Sequence, residues 1–124
     1  MKWTTEKIVE WHKNTFVNAT LENQLLKLEE ELTEVVDAQR AAKLEESYDE
    51  LADVYIVAIV LKHRFNSTAG SYFVGLCEYC PPKDLYKRVD KKMNENVKRK
   101  WKFDPDAGVY RHFEKVFDKP KQNS

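Results

Sequence analysis

The 124-residue chain is long enough for one domain with a real core, and its 21 basic and 21 acidic residues cancel, so no global field draws in nucleic acid or an anionic membrane. Its most apolar stretch, Leu51 to Leu61, is interrupted by Asp53 and is far shorter than the roughly 20 residues of a bilayer crossing. With no signal-like apolar start and only the cysteines Cys77 and Cys80, too few for a secreted disulfide framework, the expectation is a soluble cytoplasmic protein with reduced thiols.

Three glycines and four prolines leave most of the chain free for long helices. A first helix is expected from about Thr5 to Asn18, with Ile8, Val9, Phe16 and Val17 apolar. Thr20 suits the N-cap of a second helix to about Lys43, whose stripe is Leu21, Leu25, Leu28, Leu32 and Val35. Ser47-x-x-Glu50 reads as a capping box opening a third helix to about Arg64, nearly apolar all round and so central to a bundle. A short fourth helix around Tyr72 to Tyr79 should stop at Pro81-Pro82, and Leu85, Val89, Met93 and Val97 define a fifth from about Lys83 to Lys100. Asp104-Pro-Asp-Ala-Gly108, flanked by Trp101, Phe103, Val109 and Tyr110, is a turn signal that allows a small β-hairpin.

The acidic residues of the second and third helices carry the chemistry. At about 100° per residue, Glu31 and Glu34 fall roughly 60° apart on one flank of the apolar stripe, whereas Glu29 lies on the opposite flank and Glu30 faces away from the core. Ala38, Ala41 and Ala42 share the flank of Glu31 and would admit a close neighbour. Glu50 and Asp53 are three apart, hence on one face, and eight uncharged residues follow Asp53. A carboxylate there must neutralise or find a cation. Two acidic pairs on consecutive helices give the oxygen set that a hard cation such as Mg²⁺ takes, with Mn²⁺ as an alternative. A plain solvated helix face accounts for Glu29 but not for Asp53.

Glu30-Glu31-x-x-Glu34, fifteen residues, then Glu50-x-x-Asp53 resembles the bipartite EExxE…ExxD motif of the MazG-like nucleoside triphosphate pyrophosphohydrolases. On the fifth helix, Lys92, Asn96 and Arg99 share one face with Arg88 a turn earlier. Their order resembles the triphosphate-binding segment of the phage-type and dimeric-dUTPase-like branches, as Trp11, Phe16 and Thr20 resemble the opening of those proteins. The similarity spans about Ile8 to Trp101. It implies an all-α MazG-like bundle of about five helices, taken as one domain over residues 1–118, while the polar end, 119–124, reads by itself as a disordered tail. It also implies Mg²⁺ on Glu31, Glu34, Glu50 and Asp53, Glu30 as proton acceptor, and cleavage of a (d)NTP into (d)NMP and pyrophosphate, as in nucleotide-pool housecleaning. Arg88, Lys92, Asn96 and Arg99 would bind the phosphates. Trp11 and His12 would form part of a nucleobase pocket.

Cys77-x-x-Cys80 lacks a visible second half for zinc, so packing is the default, and His12, His63 and His112 accompany no nucleophile. A ferritin-like di-iron site would need Glu-x-x-His, which the cluster lacks. The alternative class is a non-enzymatic helical module whose acidic and basic faces pair between subunits. For the enzyme itself, an all-apolar third helix suggests that a second copy completes the bundle as a homodimer or homotetramer.

Overall fold

The computed structural model describes residues 2–113; the end of the expected domain at 118 and the expected tail of 119–124 lie outside them. Among the described residues five helices precede a hairpin: α1 (Thr5–Thr15), α2 (Leu21–Arg40), α3 (Leu44–Phe65), α4 (Thr68–Tyr79), α5 (Leu85–Asn96), then β1 (Lys100–Asp104) and β2 (Val109–Phe113). This is the all-α bundle with a small terminal hairpin that the periodicity indicated. No helix among the described residues is long and apolar enough to cross a membrane.

The centre is α3, against which α1, α2, α4 and α5 all pack. Its eight residues Val54 to Leu61 are all buried, which fits a helix with apolar side chains on every face. One chain is therefore enough to cover α3, and the argument for a second copy from that helix falls away. The uncovered apolar residues lie elsewhere. Leu21 and Leu25, read as part of the inward stripe of α2, are exposed, and only Leu28 and Val35 of that stripe are fully buried. Tyr72, Leu76 and Tyr79 of α4 are exposed as well.

Helix ends differ from the sequence expectation for identifiable reasons. Thr20 does cap α2, in a reciprocal box with Asn23. That helix stops at Arg40 because Ala42 takes a left-handed conformation (φ 59°) and Lys43 N–H returns to Ala38 O, a C-terminal turn usually signalled by glycine. Ser47 does not cap α3: it is buried a turn inside the helix, where its hydroxyl donates to Leu44 O. Ser67 caps α4, accepting from Gly70 N–H, so α4 starts four residues before Tyr72. α1 ends at Thr15, and the carbonyls of His12 in its last turn and of Phe16 and Val17 just past it accept from Arg64 of α3.

α4 meets α3 at Gly70, where an added Cβ would lie 2.4 Å from Lys62 N and 2.7 Å from Leu61 Cβ. The hairpin pairs Trp101 with His112 and Phe103 with Tyr110, and its second strand lies against α2.

Candidate active site

A cavity of about 320 Å³ opens between α2, α3, α5, the end of α1 and the hairpin. One wall is acidic. α2 and α3 pack side by side and bring Glu31, Glu50 and Asp53 together, with one oxygen of each within 4.8 Å of the others. Glu34 also lines the cavity but is exposed. The distinction drawn along α2 from helical phase is visible: Glu29 is exposed, while Glu31 is buried.

Crowding carboxylates in a half-buried wall disfavours their ionised forms. Burial, then Asp53 and Glu34 against the pull of Lys27, push Glu31 up to about 7. Burial, a side-chain hydrogen bond with Glu34 and the charges of Glu34 and Asp53 push Glu50 up to about 8. Burial also raises Asp53, although Lys92 opposes it. Glu31 Oε1 and Glu50 Oε1 are buried with no hydrogen-bond partner. Two acceptor oxygens without donors, in a cluster of three carboxylates, are the environment a hard divalent cation satisfies, so the residues fit such an ion. Neither Cys77 nor Cys80 belongs to this cluster, the one group of three or more metal-capable side chains among the described residues.

The opposite wall is cationic. Lys92 Nζ of α5 lies 3.2 Å from Asp53 Oδ2; burial alone would lower this ammonium, but Asp53, Glu50 and Asp49 raise it. The cation that Asp53 was expected to require is thus supplied in part by the chain itself. Asn96 is buried at the cavity, and its Oδ1 accepts from Arg99 Nη1 at 3.1 Å. Arg88 is not at the cavity. It binds Asp49 (2.8 Å) and Glu45 (2.6 Å) and stacks over Tyr48, tying α5 to the start of α3. Glu30 is likewise outside the cavity lining: Arg111 of β2 grips both its oxygens, at 3.1 and 2.5 Å, which leaves it poorly placed as the proton acceptor.

The remaining wall is aromatic. Trp11, Phe16, Trp101 and Tyr110 pack mainly edge to face, with centroid separations from 4.8 to 6.2 Å. His12 lies beneath them, buried at the cavity edge. Arg64 Nη1 is 2.7 Å from His12 Nδ1; a guanidinium can only donate, so Nδ1 accepts and the neutral ring carries its proton on Nε2. Burial, then the Arg64 charge, lower His12 to about 3, against a hydrogen bond with Gln24.

The model of the phosphoribosyl-ATP pyrophosphohydrolase family matches residues 5–69, just over half of the chain. The chain belongs to this family. No match was found among curated proteins or among solved structures.

Membership makes the protein a MazG-like, all-helical pyrophosphohydrolase of a nucleotide substrate. The matched span runs from α1 through α3, so it includes the whole acidic wall and Trp11, His12 and Phe16, and ends before α5 and the hairpin. In this family member the acidic and basic residues meet within one chain, as Lys92 with Asp53 and Arg88 with Asp49, which removes the motive for reading them as faces of an assembly module. Lys27, Gln24, Trp101, Tyr110 and Arg111 line the cavity, although the sequence assigned none of them a role there. Lys27 carried a usable signal, since it stands one helical turn before Glu31. The hairpin residues carried none, because their approach to α1 and α2 depends on the tertiary path.

Proposed function

We propose that this chain is a Mg²⁺-dependent nucleoside triphosphate pyrophosphohydrolase that cleaves (d)NTP to (d)NMP and pyrophosphate, in a housecleaning role and in the phage-type or dimeric-dUTPase-like branch. The reading rests above all on Glu31, Glu50 and Asp53, whose oxygens converge with two unsatisfied acceptors facing a cationic helix. Glu31, Glu50 and Asp53 would hold the metal, while Glu34, exposed and outside that trio, would not be the ligand that the resemblance implies. Bound there, Mg²⁺ supplies positive charge against phosphate oxygens and acidifies a water.

The chain's own groups do the rest. Lys92 and Arg99 bind the phosphates and stabilise charge developing on the departing pyrophosphate, while Asn96 orients Arg99. Water attacks phosphorus, the bridging P–O bond breaks, and the water's proton passes to Glu34, the exposed carboxylate outside the close trio. Trp11, with Phe16, Trp101 and Tyr110, offers ring faces and edges to the nucleobase, and buried His12 fixes the floor of that end. The exposed Leu21, Leu25, Leu76 and Tyr79 support a homodimer or homotetramer.

The family's own substrate, phosphoribosyl-ATP, is a second reading supported by the match itself. Incubating the protein with natural and damaged nucleoside triphosphates and with phosphoribosyl-ATP, with Mg²⁺, Mn²⁺ or EDTA, tests both. Pyrophosphate and a monophosphate should appear only with divalent metal, and the fastest substrate separates the two readings. Release of orthophosphate instead, or full activity in EDTA, would refute the assignment.

A further inference from the structure

Lys27 stands on α2 one turn before Glu31, half-buried in the cavity wall. Its ammonium lies 3.3 Å from Glu31 Oε2 and 3.9 Å from Glu30 Oε1. Glu30 has little need of it, because Arg111 already binds both Glu30 oxygens. Glu31 and Asp53 are the carboxylates that contact Lys27 and Lys92 respectively, and both belong to the trio assigned to the divalent ion. An ion on those oxygens supplies the positive charge that the two ammonium groups otherwise give them. The lysines then keep their positions in a part-dry wall but need another anion, since a half-buried ammonium without one is costly.

We propose that Lys27 is a third phosphate-binding cation of this site, acting from α2 while Lys92 and Arg99 act from α5, and that each lysine exchanges its carboxylate for a phosphate oxygen as metal and triphosphate bind. The inference rests on the function proposed above. It makes metal and triphosphate binding mutually reinforcing: the ion frees an ammonium for phosphate, and phosphate draws that ammonium from a carboxylate the ion uses. The coupling is reciprocal by linkage.

The test uses the full chain and α,β-imido analogues of the four common deoxynucleoside triphosphates, each titrated calorimetrically with Mg²⁺ into wild type, Lys27→Met, Lys27→Gln and Lys27→Arg. Mn²⁺ binding without nucleotide is measured by electron paramagnetic resonance, and thermal melting identifies the folded variants. Lys27→Met should weaken the best analogue about tenfold or more, leave Mn²⁺ binding unchanged or tighter, and reduce the gain in analogue affinity that metal gives. Lys27→Arg should restore most of the affinity. If Lys27→Met does not fold, Lys27→Gln provides the same comparison. Wild-type analogue affinity in the neutral variants overturns the inference. So does a parallel fall in Mn²⁺ binding, which would make Lys27 a prop for Glu31. Failure of wild type to bind any analogue with metal would instead defeat the common-nucleotide reading of the proposed function, on which the inference rests.

Discussion

His12 allows a pH dependence to be worked out from one contact. Folding buries it against Arg64 and lowers it from an ordinary 6.5 to about 3. A depressed histidine stabilises the fold only while the unfolded chain is also neutral there. Below pH 6.5 the unfolded state gains a proton that the native state refuses, so stability falls as pH falls and keeps falling until about pH 3. At about 1.4 kcal/mol per pH unit, lowering the pH from 7.5 to 5 should cost about 2 kcal/mol, or roughly 6–12 °C in Tm for a domain of this size. Glu31 and Glu50 are shifted upward and act in the opposite sense, so the useful quantity is a difference between variants. His12→Asn keeps an oxygen acceptor near Arg64 but cannot titrate. Urea unfolding of both proteins should show wild type losing about 2 kcal/mol relative to the variant between pH 7.5 and 5. Parallel stability curves, or a relative gain by wild type on acidification, would refute the assignment of a buried, neutral His12.

Three further outcomes are expected. Gly70→Ala drives a Cβ into the backbone at Lys62 and should destabilise by about 3 kcal/mol, whereas Gly75→Ala in the same helix meets nothing within 4 Å and should stabilise by about 0.5–1 kcal/mol; calorimetric melting of the pair checks both signs. Glu29→Gln, on the exposed flank of α2, should leave kcat/KM unchanged, while Glu34→Gln, at the cavity, should lower it by about 10²; equal losses in the two variants would contradict the orientation of α2. Arg99→Ala should reduce kcat/KM by about 10² with Mg²⁺ binding retained, and unchanged kinetics in a folded variant would remove Arg99 from phosphate binding.

What could be read from the sequence followed the reach of local rules. Helical period placed Glu31 and Glu34 towards α3 and Glu29 away from it, and the run from Val54 to Leu61 marked the central helix, because side-chain direction along a helix is fixed by spacing alone. The hairpin was legible from Asp104 to Gly108, where Gly108 holds φ 76°. Local rules failed where a distant group decided the outcome. Ser47 resembles a cap in isolation, yet α3 begins at Leu44 without a side-chain cap. Arg88 shares a helical face with Lys92 in the one-dimensional view, but Glu45 and Asp49 at the start of α3 capture it. Arg64 gave no hint that it would close the end of α1, since a residue 52 positions away supplies its main partner.

The aromatic wall joins two elements far apart in sequence: Trp11 and Phe16 at the end of α1 meet Trp101 and Tyr110 from the hairpin. During synthesis the carboxylates of α2 and α3 can come together once α3 has emerged, but the cavity lacks this side until β2 leaves the ribosome. A nascent or prematurely ended chain would therefore present an acidic, ion-attracting surface before it could enclose a nucleotide. Synthesis of the hairpin is in this sense the step that turns a cluster of charges into a selective compartment.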